Sequence, residues 1–107
     1  MKTLTYYIDT TVTRAFLHFA GDKLENLNQE DLWSISTVLS KAAQLANARS
    51  APAINTIEII DLDQISLSDV SLRCLLALNG FLMTEINQLM AGIFQASFDA
   101  EKERSSL

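Results

Sequence analysis

The chain is short of the residues that most often carry covalent or metal chemistry. It has one cysteine, Cys74, and one histidine, His18, in 107 residues. A single cysteine cannot close an internal disulfide, so folding does not require an oxidising compartment. A single histidine rules out a His-based metal cluster or a Ser–His–Asp triad built within one chain. Glycine and proline are also scarce, with three and one. That leaves little room for long loops, Gly-rich linkers or a Gly-rich phosphate cradle. Basic residues number eight, set singly along the chain, and the net charge is −5. A nucleic-acid binder needs clustered Lys and Arg to neutralise phosphates, and that class is set aside. The longest uncharged apolar-rich stretches, 74–84 and 86–98, fall short of the roughly 20 residues a membrane span needs. The N-terminus lacks a continuous apolar export segment, Asp9 interrupting it early. A cytoplasmic protein is expected.

What is present is a folding composition, 49% hydrophobic and 20% charged. The length suits one domain, expected over 1–98 and followed by a polar tail, 99–107. Residues 3–9 alternate, with Leu4, Tyr6 and Ile8 on one side, and read as a strand. Residues 14–20 read as a second strand, against a rival short helix starting near Thr13 and ended by Gly21. Asn28 is a helix N-cap with Glu30 and Asp31 in the first turn, and Leu32, Ile35, Leu39, Ala42 and Ala46 follow at helical spacing. This helix is expected over about 29–48, with Pro52 limiting its extension. Trp33 falls on its polar side, where a covering loop is the first expectation and a partner anchor the second.

Residues 54–62, INTIEIIDL, read as a strand covered on both faces, because Ile59 and Ile60 are adjacent. Ser68 or Ser66 then caps a second helix, with Asp69 in its first turn. Leu75, Leu78, Leu82, Ile86 and Leu89 line one face of it. Residues 93–98 fit a strand or a continuing helix equally well. The resulting order, β-β-α-β-α-β, defines an α/β (α+β) sheet of about four strands with helices packed on it. Cys74 is expected as a buried, inert thiol. Glu58, Asp61 and Asp63 lack the further oxygen ligands and glycine of a calcium loop. No catalytic residue, metal site or cofactor is expected.

The stretch 58–78, EIIDLDQISLSDVSLRCLLAL, resembles the signature of STAS domains, the family of anti-sigma-factor antagonists. Asp61-Leu62 closes the strand, Ile65 is the apolar loop residue, Asp69 follows eight residues after Asp61, and Leu75 to Leu78 supply the Leu-rich helix. Upstream, Phe16, Leu17, Phe19, Gly21, Leu32 and Ile35 are similar to the family's second strand and first helix. The resemblance implies a bacterial, non-enzymatic regulatory module. It would bind a protein partner through Ser68, Asp69, Val70, Ser71 and Arg73, in the loop and helix start at 64–73. An anti-sigma kinase, a signalling complex or a transporter ATPase would be the partner. Val70 stands where phosphorylated members carry Ser or Thr, which leaves Ser71 and Ser68 as the candidate phosphorylation sites. Leu72 replaces the usual glycine, and the family's last helix is mostly missing, so a second copy or a partner would cover the face left open. The alternative is a helix-rich structural or oligomerisation protein without a phosphoswitch.

Overall fold

A computed structural model describes residues 10–63 and 65–105, with side chains as far as Gln95 except that of Asp63. It contains five helices: α1 (Thr11–Ala20), α2 (Gln29–Ala48), α3 (Thr56–Asp63), α4 (Asp69–Leu78) and α5 (Met83–Ser105). No strand is present among the described residues, only an isolated antiparallel bridge between Ala53 and Leu82. The expected α/β sheet is therefore wrong, and with it the fold on which the STAS resemblance depends. The stretch 3–9 expected as the first strand lies outside the described residues.

The two misassigned segments are helical for local reasons. Thr10 accepts the Thr13 N–H at 3.3 Å through its hydroxyl, an N-cap that starts α1. The apolar residues of α1 then bury at helical spacing: Val12, Phe16, Leu17 and Ala20. In 54–62, the Asn55 carboxamide oxygen accepts the Glu58 N–H at 3.0 Å, which satisfies an orphan donor at the start of α3. Ile59 is then buried in the core, whereas Ile57 and Leu62 are exposed.

Two helix starts are as expected. Asn28 caps α2 in a reciprocal box: its side chain accepts the Asp31 N–H at 2.8 Å, and Asp31 accepts the Asn28 N–H at 3.1 Å. Ser68 caps α4. The long helix expected from there breaks after Leu78. Asn79 is extended and Gly80 takes φ +88°, so the chain turns before α5 begins at Met83. Leu82, expected on the buried face, is 48% exposed for that reason. Residues 93–98 continue α5, which runs through Gly92 to Ser105.

The core is one cluster to which every helix contributes. α4 is its centre and packs against α1, α2 and α3, with α1 its closest neighbour. Its inner side chains Ser71, Cys74, Leu75 and Leu78 are fully buried. Around them lie Phe16 from α1, Ile35 and Leu39 from α2, and Ile86 and Leu89 from α5. α5 closes the bundle against α1 and α2. This packing leaves the outward face of α2 beside one flank of α5.

Candidate functional site

Two places on the surface concentrate chemistry: the meeting of the α2 and α4 N-termini, and the outward face of α2.

At the first, the Ser68 hydroxyl donates to Ser71 Oγ at 2.9 Å and accepts the Ser71 N–H at 3.2 Å. Ser68 and Asp69 are exposed, Val70 is half-buried against the core, and Arg73 is exposed. Ser71 is fully buried. The residues expected to form one docking patch therefore divide. Asp69 and Arg73 face solvent, Val70 and Ser71 face inward, and Ser68 joins the two sets.

Asp31 belongs to the same cluster. The Asn28 backbone N–H holds its carboxyl below the usual range, and the Ser68 and Ser71 hydroxyls add to that effect against the opposing cost of desolvation. One turn along α4, the Cys74 thiol is pushed up to about 11, by burial first and by the charge of Asp31 second. It lies 3.9 Å from the Phe16 carbonyl oxygen. A thiol so placed is not a nucleophile near neutral pH. The sequence singled out Ser68, Asp69 and Ser71. It gave no sign that Asp31, 37 residues before Ser68 in the chain, completes their environment.

At the second place, Trp33 is 62% exposed. No loop of the described residues covers it, contrary to the first expectation. It stands as a ridge between two hollows. On one side is an open depression of about 780 Å³ lined by Gln29, Glu30, Ser34, Thr37, Lys41 and Ile65. On the other is a small notch of about 40 Å³, where Leu32 and Ser36 of α2 meet Ile93 and Phe94 of α5. Phe94 is itself 48% exposed. The two aromatic side chains thus line one cleft between two helices. The remaining exposed large apolar residues, Ile57, Leu62, Leu76 and Leu82, come from α3, α4 and the turn before α5.

The spacing that exposes this face is readable. Glu30, Ser34, Thr37 and Lys41 follow one another at intervals of three and four, and Trp33 lies three residues after Glu30 and four before Thr37, so they share a stripe opposite the buried Ile35, Val38, Leu39, Ala42 and Ala46. The Thr37 hydroxyl donates back to the Trp33 carbonyl oxygen at 2.9 Å. Phe94 could not be placed beside Trp33 from the sequence, because the two lie on separate helices and the direction of α5 depends on the turn at Gly80.

Among the described residues, no group of three or more His, Cys, Asp and Glu is placed to hold a metal ion. No helix of the described residues is long and apolar enough to cross a membrane. No family model, no curated protein and no solved structure matches the chain.

Proposed function

We propose that this chain is a non-enzymatic helical interaction protein, whose work is to bind another protein surface through the outward face of α2 and the adjoining flank of α5. One observation carries the reading: Trp33, the only tryptophan, stands 62% exposed beside a half-exposed Phe94, with a hollow on either side. Large aromatic side chains left in water contribute little burial to folding and are the side chains that most often anchor interfaces. Polar groups, Gln29, Glu30, Ser34, Thr37 and Lys41, surround the ridge, as a rim surrounds an interface core.

The start of α4 is the weaker docking point. It offers Asp69 and Arg73 to a partner, but its two serines are hydrogen-bonded to each other and one is buried. A phosphoswitch there is no part of this proposal.

In-cell photo-crosslinking distinguishes the two surfaces. A photoreactive residue at position 33 is expected to give defined protein adducts that Phe94→Ala diminishes. The same residue at position 73 is expected to give none. Adducts from 73 without adducts from 33 would move the binding surface to α4.

A further inference from the structure

Six asparagines occur in the chain, and Asn79 alone is followed by glycine. Asn79 and Gly80 are both exposed, and nothing lies within 4 Å of the place where a side chain at Gly80 would begin. A glycine amide nitrogen has no side chain beside it, so it approaches the preceding carboxamide carbon with the least steric hindrance. The reaction open to this pair is ring closure. The Gly80 nitrogen gives its proton to hydroxide and attacks Asn79 Cγ. A new N–Cγ bond forms, the Cγ–Nδ2 bond breaks, and ammonia leaves with a proton from water. Water then opens the cyclic imide at either carbonyl. One product carries aspartate at position 79. The other, isoaspartate, routes the main chain through the former side chain and lengthens it by one methylene.

In the folded chain the segment 54–56 holds both reacting groups. Gly80 N–H donates to the Ile54 carbonyl oxygen at 3.0 Å, so the proton that must be lost is engaged. Asn79 Oδ1 accepts the Thr56 N–H at 2.9 Å, which fixes the carboxamide. The Thr56 hydroxyl lies 3.5 Å from the same oxygen, and it is anchored in the interior by donating to the Leu75 carbonyl oxygen at 2.7 Å. Ring closure requires the carboxamide to swing toward the Gly80 nitrogen and the Gly80 N–H to be released. Both bonds have to break first.

We propose that Asn79–Gly80 is a site of spontaneous deamidation that the 54–56 segment holds closed, so that the chain is modified only when this contact opens. The inference is independent of the α2 face. Its two products differ in consequence. Aspartate at position 79 keeps an oxygen facing the Thr56 N–H, at the start of α3, where the helix dipole favours negative charge. Isoaspartate shifts Gly80 and Phe81 out of register with Ile54, with which both are hydrogen-bonded. A transient opening is thereby made permanent.

The test incubates the full chain in mildly alkaline buffer, folded and in denaturing urea, and follows every asparagine by peptide mapping with mass spectrometry. In urea, Asn79 should convert well ahead of the other five. In the folded chain its conversion should be slower by about tenfold or more, because only the open fraction reacts. Thr56→Val removes the interior anchor and leaves Asn79–Gly80 intact. It should speed conversion of the folded chain several-fold and leave the rate in urea unchanged, with circular dichroism confirming that the variant is folded. Asn79→Asp should melt at or above the parent temperature, whereas the purified isoaspartyl chain should melt below it. Equal conversion of Asn79 in folded and unfolded chains would overturn the proposal. So would a folded Thr56→Val chain that converts no faster than the parent, or an Asn79 that does not lead the other asparagines in urea. An isoaspartyl chain as stable as the parent would overturn the lasting opening.

Discussion

Two residues decide what the start of α4 can do. Ser71 is fully buried, with its hydroxyl bonded to Ser68 and the Asp31 carboxylate close by. A negative charge at position 71 would be desolvated and would face another acid. Ser71→Asp is expected to cost about 3 kcal/mol or more in urea denaturation, whereas Asp69→Asn at the exposed neighbouring position should cost less than about 1 kcal/mol. Equal effects would show that the first turn of α4 is open to solvent. Cys74 gives a second handle. Its thiol ionises near 9 when free and near 11 in the fold, so above pH 9 the unfolded chain loses its proton first. The unfolded state then binds fewer protons than the folded one, and stability falls as pH rises. The fall should reach about 2–3 kcal/mol between about pH 8 and pH 11. Cys74→Ala should flatten this dependence while lowering stability at neutral pH.

At the scale of elements, the helices that could be read were those whose apolar spacing and cap agree. Asn28 with Asp31, then a stripe from Ile35 to Ala46, leaves no rival to α2. The start of α4 at Ser68 was legible in the same way. INTIEIIDL was not, because nine residues rich in Ile satisfy strand and helix alike when period alone is consulted. The deciding signal was Asn55 followed three residues later by Glu58, a capping pattern at the head of the apolar run. Thr10 and Thr13 carry a comparable sign ahead of α1. Of the candidate site, the exposed stripe of α2 was legible, but its pairing with α5 depends on a turn that the expected continuous helix did not contain. The other end of α2 yields a prediction. Ala51 N–H bonds the Ala46 carbonyl at 2.8 Å and Ser50 N–H bonds that of Asn47 at 3.1 Å, with Ser50 at φ +53°. This is a Schellman ending with a serine where glycine is preferred. Ser50→Gly should raise stability by up to about 1 kcal/mol, visible as a higher melting temperature.

For the whole molecule, the packing makes α4 the common support. It touches α1, α2 and α3, and its inner face has no solvent exposure. The α2 face is therefore held by a rigid interior and does not have to form on binding. A helix-dominated circular dichroism spectrum with one cooperative melt is expected, and a sheet-dominated spectrum would refute the fold.

One small feature ties distant parts of the chain. Ile54 N–H bonds the Phe81 carbonyl, Gly80 N–H bonds that of Ile54, and Met83 N–H bonds that of Pro52, at 3.0–3.1 Å. Asn79 reinforces the seam by accepting the Thr56 N–H at 2.9 Å. These bonds make a latch that draws α3, α4 and the segment between them into a closed ring of chain. Such a ring should open as a unit: in native-state hydrogen exchange, the amides of Ile54, Thr56, Gly80 and Met83 should share one opening free energy. Asn79→Ala should lower that shared value more than it lowers the value for the middle of α2. Independent exchange at the four amides would mean that the latch does not act as one.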